Sequence, residues 1–354
     1  MPDFSQYQGP VPEWEELMRT IDSVQAPAQT ASPEALRATT NQARIRAAQT
    51  NLKLFGLLEK VKWQDYSIVT RDQQNIIARV YRSTNNVRSL LPVYLYFHGG
   101  GHLFGAVETE DASCARIVAA FPDPGIIVIS INYRHTPEFQ HPTQINDSWD
   151  SFEWLSNYIL VLGGDRNQVV VGGISAGGGL AASIVLRANE KVQSGQSSCG
   201  LIIQGQILCS PWLVHPAANP WSRSSTSSFS QNQTAPILPW TALKLFSELL
   251  GPEASEDPYF NIALTSDEKV KGMPKASILV AGQDLLRDEA LSYAQKLNAN
   301  QVATKVHVFP GLPHGFRRYT ELRSTDRWEE LIVQSIQWSL SNDNRSSLEV
   351  ELRH

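Results

Sequence analysis

From residue 66 onward, short apolar runs alternate with longer segments whose apolar residues recur at helical spacing. The runs predicted as strands are residues 66–70, 76–81, 92–97, 126–131, 169–171, 201–208, 276–280 and 304–309. The segments predicted as helices are residues 111–121, 144–160, 176–189, 287–300 and 326–340. Apolar strands that alternate with amphipathic helices are typical of a mainly parallel sheet with helices on both faces. The sequence therefore predicts an α/β fold, with the first two strands as an antiparallel hairpin at one edge.

Two parts of the chain fall outside this alternation. Before the first strand, residues 12–22 carry an amphipathic helical pattern, and Ser32-Pro33 is the start signal of a second helix that could end near Leu54. Residues 210–263 are rich in proline and serine and contain one predicted helix, residues 239–250. An excursion of this length is too long for a plain connection in a compact domain.

We interpret both parts as a cap over the sheet. The predicted cap consists of residues 1–60 and 210–263, and the predicted catalytic domain consists of residues 61–209 and 264–354. An excursion over the end of the sheet where ligands bind usually acts as a lid.

Composition argues against several classes of protein. The 30 Lys and Arg against 35 Asp and Glu give a formal net charge of −5, which offers no support for nucleic-acid binding. We see no apolar run of the roughly 18 residues that a membrane-spanning helix needs, and no secretory signal peptide. The 3 cysteines lack Cys-x-x-Cys spacing, which argues against a disulfide framework or a cysteine zinc site. We therefore expect a soluble, cytoplasmic protein that needs neither a metal nor an organic cofactor.

The segment Gly173-Ile174-Ser175-Ala176-Gly177 matches Gly-x-Ser-x-Gly. It lies between a predicted strand and a predicted helix, the context in which a tight turn exposes the serine oxygen. The glycines leave room where the strand and the helix approach each other closely. A glycine-rich turn with an ordinary serine is the structural alternative at this point.

A second motif, His98-Gly99-Gly100-Gly101, follows the strand predicted at residues 92–97. Backbone N–H groups of such a loop can point at a substrate oxygen, and with the Ala176 N–H they would stabilise a tetrahedral oxyanion. Close packing of a glycine loop is the structural alternative, and the downstream Ser175 makes it less attractive.

A serine nucleophile needs a base and an orienting acid, in the chain order serine, acid, histidine. Among the histidines after Ser175, we favour His314, because it follows the last predicted strand in a loop. The other three are placed less well: His215 in the excursion, His307 within a strand and His354 at the chain end.

For the acid we favour Asp284, because it follows the strand 276–280 and so lies at the same sheet edge as Ser175. Asp288, within the next helix, and Asp257, in the excursion, are the competing carboxylates. Helix capping is the structural alternative for Asp284.

Together these motifs resemble the hormone-sensitive-lipase-like family of α/β-hydrolase esterases, over residues 91–319. Besides the two glycine motifs, residues 133–138 (Tyr-Arg-His-Thr-Pro-Glu) and 284–289 (Asp-Leu-Leu-Arg-Asp-Glu) resemble the corresponding family segments. The chain looks more like fungal members, some of which act on secondary-metabolite esters or lactones. Ile174 and Gly179 depart from the residues that many members have, Asp and Asn, although neither is a triad position.

The resemblance implies an α/β-hydrolase fold with a helical lid. It also implies Ser175 as the nucleophile, Asp284 as the acid and His314 as the base. The oxyanion donors would be the N–H groups of Gly100, Gly101 and Ala176, with Gly99 as a further possibility.

The sequence thus predicts a serine esterase for small to medium apolar esters, with no macromolecular partner identified and an undetermined oligomeric state. Aromatic residues in the excursion and near the site suggest an apolar pocket, and we expect Phe104, Trp212, Phe229 and Phe316 to line it, with Trp240 in the lid. Lactone opening and acyl transfer through the same acyl-enzyme remain alternatives. A small-molecule receptor that retains a triad is the alternative from another class.

Overall fold

The computed structural model describes residues 3–20, 32–85, 89–196 and 199–351. Its centre is a 9-stranded sheet. The strands are β1 (Val61–Val69), β2 (Asn75–Ser83), β3 (Leu91–Phe97), β4 (Ile127–Asn132), β5 (Gly164–Ile174), β6 (Ile203–Cys209), β7 (Lys275–Gln283), β8 (Thr304–Pro313) and β9 (Ser347–Val350). Their spatial order is β1-β2-β4-β3-β5-β6-β7-β8-β9.

In this spatial order, every neighbouring pair from β4 through β3 to β9 is parallel. β2 pairs antiparallel with both β1 and β4, and β1 forms the edge of the sheet. The expected edge hairpin and mainly parallel sheet are therefore confirmed. β1 begins five residues earlier than predicted, because residues 61–65 continue the pairing with β2 although several of their side chains are exposed. β9 was not predicted; it has 4 residues on the outer edge of β8, and they are largely exposed.

Helices cover both faces of the sheet. They are α1 (Pro12–Thr20), α2 (Pro33–Leu54), α3 (Asp111–Ala120), α4 (Thr143–Tyr158), α5 (Ala176–Gln193), α6 (Ser228–Gln231), α7 (Trp240–Leu250), α8 (Asp267–Val270), α9 (Arg287–Ala299) and α10 (Arg323–Leu340). The end of the first predicted helix, residues 21–22, lies outside the described residues. Short 3₁₀ helices lie at Ser5–Tyr7, Val107–Glu110, Pro216–Ala218, Pro252–Ser255, Ile262–Leu264 and Phe316–Arg318.

The two faces of the sheet build separate cores. Along β3, Leu95 and Phe97 point into a core shared with α4, α5 and α9, whereas Tyr94 and Tyr96 point into a core shared with α2, α3 and α10. This alternation follows from the two-residue period of a strand, which sends successive side chains to opposite faces. Because both faces are covered, the strand sequences are almost continuously apolar.

The excursion between β6 and β7 packs onto the α4–α5–α9 core. α7 buries Leu243, Phe246 and Leu250 on one side, as its apolar spacing requires. In the described ranges, no helix combines the length and the apolar character needed to cross a lipid bilayer.

Candidate active site

Ser175 lies on the turn between β5 and α5. Its backbone has φ 56° and ψ −123°, a strained conformation for a residue with a side chain. The glycines beside it make this turn possible: a Cβ on Gly177 would lie 2.1 Å from the Phe97 carbonyl oxygen, and one on Gly173 would lie 2.4 Å from the Gly177 oxygen. The spacing of the two glycines is therefore required by how closely β3, β5 and α5 approach one another.

His314 connects Ser175 to Asp284. Its Nε2 lies 3.0 Å from Ser175 Oγ, and its Nδ1 lies 2.7 Å from Asp284 Oδ2. A carboxylate can only accept hydrogen bonds, so Nδ1 carries the proton and Nε2 is free to accept one from the serine hydroxyl. All three side chains are buried. The structure thus brings together the three residues that the sequence placed at the ends of β5, β7 and β8.

The two competing carboxylates have other partners. Asp288 accepts from the Ser228 N–H at 2.7 Å and from Arg287 Nε at 2.8 Å, so it ties the excursion to α9. Asp257 lies 2.8 Å from His141 Nε2. Asp284 instead has one oxygen on His314 and accepts the Leu286 N–H with the other, at 3.0 Å.

The loop after β3 presents backbone N–H groups next to the serine. Within the described chain, no carbonyl or side-chain oxygen accepts from the N–H groups of Gly100, Gly101 or Ala176. Gly101 has φ +62°, and a Cβ there would lie 2.2 Å from the Phe246 ring. Three unpaired donors beside a serine are available to a substrate oxyanion.

Gly99 is placed differently from the two glycines that follow it. A Cβ on Gly99 would lie 2.8 Å from the Ile174 oxygen, so this residue packs directly against the turn that holds Ser175. Its close packing accounts for glycine at this position without a role in binding.

Buried aromatic and polar contacts hold the glycine loop in place. The Tyr133 hydroxyl donates to the His98 carbonyl oxygen at 2.8 Å, and the two rings stack at 4.4 Å. Asn41 of α2 makes two hydrogen bonds to Gly105, accepting its N–H at 2.8 Å and donating to its carbonyl at 2.9 Å. Sequence reasoning missed Asn41, because nothing in α2 signals a contact with a loop about 60 positions away.

A narrow cavity of about 70 Å³ opens onto Ser175 and His314. Phe104 lines it as expected, and the excursion contributes Ile237, Leu238 and Phe246. Arg44 of α2 also reaches its wall, so both predicted parts of the cap contribute residues to this cavity.

Three of the expected pocket aromatics lie elsewhere. Trp212 packs against Phe260 at 5.2 Å, Phe229 packs against Trp240 at 4.9 Å, and Phe316 is buried against Phe309 and Trp328. None of the three is among the residues that line the cavity, because each instead fills an apolar core or packs within the excursion.

The charged groups in the cavity wall were not foreseen, and Glu110 is the carboxylate among them. Glu110 accepts from the Tyr96 hydroxyl and from Arg317 Nη2, both at 2.8 Å. Burial acts to raise the pKa of Glu110, but the Arg317 guanidinium and these hydrogen bonds outweigh it and lower that pKa overall. Arg317 and Arg318 directly follow the loop of His314, and this position in the sequence could have indicated charged groups near the site.

The remaining histidines do not reach the serine. His215 accepts the Ala217 N–H within the excursion, and His307 lies in β8 beside Glu349 and Glu351. His354 lies outside the described residues. The His307 group is the one His and carboxylate cluster in the described chain with metal-ligand spacing, and Arg327 already pairs with its Glu351 at 3.0 Å.

Several proteins that this chain is similar to are esterases. A sequence profile of the Abhydrolase_3 family, described as alpha/beta hydrolase fold, matches residues 94–318. Esterase LipI of Mycobacterium tuberculosis is 34% identical over 229 residues, 64% of this chain and 66% of that protein. Carboxylesterase NlhH of the same species is 30% identical over 279 residues, 78% of this chain and 81% of that protein.

The fold comparison agrees with the sequence comparison. The hyperthermophilic esterase of the archaeon Pyrobaculum calidifontis superposes with a TM-score of 0.76 at 25% identity, over 94% of this chain and 100% of that one. These three relatives are bacterial or archaeal, so the fungal affinity expected from the sequence stays a prediction. The profile covers more than half of the chain, and the chain therefore belongs to the Abhydrolase_3 family of α/β hydrolases, the hormone-sensitive-lipase-like carboxylesterases, and is an ester hydrolase.

Proposed function

We propose that the chain hydrolyses carboxylic esters through an acyl-enzyme on Ser175. The observation that carries this proposal is the pair of contacts made by His314, with one ring nitrogen on Asp284 and the other on the serine oxygen. This arrangement activates a hydroxyl that is otherwise a weak nucleophile at neutral pH.

In the first half of the reaction, His314 Nε2 takes the Ser175 proton while Oγ bonds to the ester carbonyl carbon. The carbonyl oxygen becomes an oxyanion, and the N–H groups of Gly100, Gly101 and Ala176 would stabilise it. The carbon–oxygen bond to the alcohol then breaks, and the imidazolium returns its proton to the departing alkoxide.

In the second half, water replaces the alcohol. His314 takes a proton from the water as the water oxygen attacks the acyl carbon, and a second tetrahedral oxyanion forms in the same place. On its collapse the bond between the acyl carbon and Oγ breaks, the imidazolium returns its proton to Oγ, and the carboxylic acid leaves. Asp284 keeps the ring oriented and favours the imidazolium in both halves.

The cavity supports small to medium acyl or alcohol groups. Phe104, Ile237, Leu238 and Phe246 give it an apolar side, and its volume of about 70 Å³ is small for a ligand pocket. Residues of α2 and of the excursion line the cavity at Ser175, and we propose that these segments act as the cap that excludes water.

The Ser175→Ala variant tests the proposal. We expect kcat/KM for 4-nitrophenyl butyrate to fall by several powers of ten, because the variant lacks the attacking oxygen. Ser183→Ala, which removes another buried serine hydroxyl on α5, is the matched control and should keep its activity. A Ser175→Ala preparation that retains more than a few per cent of the rate would rule the proposal out.

A further inference from the structure

Two guanidinium groups in the wall of the Ser175 cavity have no carboxylate partner. Arg44 reaches the cavity from α2, and Arg318 reaches it from the segment that follows His314. Among the described residues, neither guanidinium has an ion pair or a side-chain hydrogen bond to an acceptor, although Arg44 lies over the Phe104 ring. Arg318 is exposed to solvent and Arg44 is partly buried, so the five N–H donors of each guanidinium are open to water or to an anion in the cavity.

Arg317, the third arginine of the cavity, differs from the other two because its guanidinium is hydrogen-bonded. Arg317 bonds to Glu110 and to Ser113 Oγ, at 2.8 and 2.9 Å, and lies 3.5 Å from Glu329. Glu110, the one carboxylate in the cavity wall, is therefore already engaged. The wall holds three arginines and one carboxylate, so it carries a net positive charge.

The position of Arg44 disfavours its charged guanidinium. It is partly buried, and its guanidinium lies 5.4 Å from the centre of the Phe104 ring. Burial, followed by the like charge of Arg318, lowers the pKa of Arg44 well below its usual value. Arginine nevertheless stays charged in proteins. An anion bound between Arg44 and Arg318 would offset their like charges and accept hydrogen bonds from both guanidinium groups.

We propose that this cavity selects esters that carry a second, negatively charged group, a carboxylate, which Arg44 and Arg318 bind while Ser175 attacks the ester carbonyl. Guanidinium groups match carboxylates in geometry and can bind them through two parallel hydrogen bonds. Because the cavity is small, the carboxylate must lie within a few bonds of the ester. This inference rests on the proposed esterase function and further specifies that the substrate is negatively charged.

Matched pairs of esters test the inference. On the acyl side, monoethyl glutarate is compared with the ethyl ester of glutaramic acid, in which a neutral carboxamide replaces the carboxylate. On the alcohol side, the acetate ester of 3-hydroxypropanoate is compared with that of 3-hydroxypropanamide. We expect kcat/KM to favour the anionic member of one pair by about tenfold or more, since charged hydrogen bonds contribute at least that much. Raising the salt concentration should reduce this preference.

Variants connect the preference to the two arginines. Arg44→Gln and Arg318→Gln should each reduce the preference by about tenfold. Arg46→Gln, two residues from Arg44 on the exposed side of α2, is the matched control and should leave the preference unchanged.

Two negative results have different meanings. If both pairs are hydrolysed without preference, or if the preference survives both cavity variants, the inference is overturned while the esterase function stands. If none of the four esters and no 4-nitrophenyl ester is hydrolysed, the proposed function fails and the inference fails with it.

Discussion

Asp284 and Asp288 are four positions apart, yet their carboxylates have different surroundings. Asp284 faces His314, whereas Asp288 accepts the Ser228 N–H and the Arg287 side chain. The first contact orients a proposed base, and the second attaches the excursion to α9. The two residues therefore offer a matched pair of substitutions within one short segment.

We expect Asp284→Asn to reduce kcat by orders of magnitude, because an amide in place of the carboxylate favours the wrong tautomer of His314. Asp288→Asn should reduce thermal stability first and leave kcat within about tenfold, because it weakens contacts of the excursion. Steady-state kinetics and melting temperatures of both variants check this. The opposite ranking of the two kcat values would contradict the assignment of the acid.

Residues of the candidate site differ in how well they can be predicted from the sequence. Ser175, Asp284 and His314 could be predicted, because each follows a strand and the ends of parallel strands meet at one sheet edge. Arg44 could not, since it lies on a long helix before the sheet and no local pattern indicates which residue that helix contacts. Aromatic residues were also hard to assign, because Trp212 and similar side chains pack into cores more often than they line pockets.

α2 is the element that joins the N-terminal segment to the glycine loop. Asn41 binds both backbone groups of Gly105, and Arg37 pairs with Glu138 and donates to the Thr136 oxygen at 2.8 Å. Further along, Ala48 and Leu52 are buried against the core that includes α3. The helix thus holds the loop that carries the proposed oxyanion donors.

We expect Asn41→Ala to lower kcat by about tenfold, because two hydrogen bonds of about 1 kcal/mol each no longer hold the loop. KM should change much less, since Asn41 does not line the cavity. Gln42→Ala, an exposed neighbour on the same helix, is the control. A change in melting temperature with kcat unaffected would show that Asn41 has a structural role alone.

The sequence predicted the helices and strands better than it predicted where they pack. The helix 239–250 and the start of α2 at Ser32-Pro33 agree with the structure, because capping and apolar spacing are local signals. β9 was missed because four largely exposed residues at a sheet edge carry no such signal. That α2 and the excursion move as a lid stays a prediction.

Two buried histidines link the stability of the whole molecule to pH. His98 and His102 of the glycine loop are buried, and they pack around Tyr133 with the partly buried His135. Burial lowers the pKa of His98 to about 4 and that of His102 to about 3. In the unfolded chain, both rings would titrate near the ordinary value of about 6.5.

Acid destabilises the folded protein through these two rings. Below pH 6.5 both histidines bind protons in the unfolded chain, whereas the folded rings stay neutral. The contribution of the neutral rings to the free energy of unfolding is therefore at its maximum above pH 6.5. It declines as the pH falls towards 4 for His98 and towards 3 for His102. At pH 5 each ring should lower the free energy of unfolding by about 2 kcal/mol relative to pH 7.5.

Denaturant unfolding at pH 7.5 and pH 5 measures this loss for the whole protein. His102→Asn has no titratable group and tolerates the φ of 59° at this position, so its loss between the two pH values should be smaller by about 2 kcal/mol. An identical loss in the variant and in the wild-type protein would contradict the role given to His102.

Mass spectrometry after treatment with a 4-nitrophenyl alkylphosphonate tests whether Ser175 becomes acylated. The phosphonate mimics the tetrahedral intermediate and stays attached to an activated serine. We predict one adduct per chain, on the peptide that contains Ser175, with loss of esterase activity in proportion to labelling and no adduct on Ser175→Ala. Labelling at another residue, or full labelling of Ser175 with undiminished ester hydrolysis, would contradict the account.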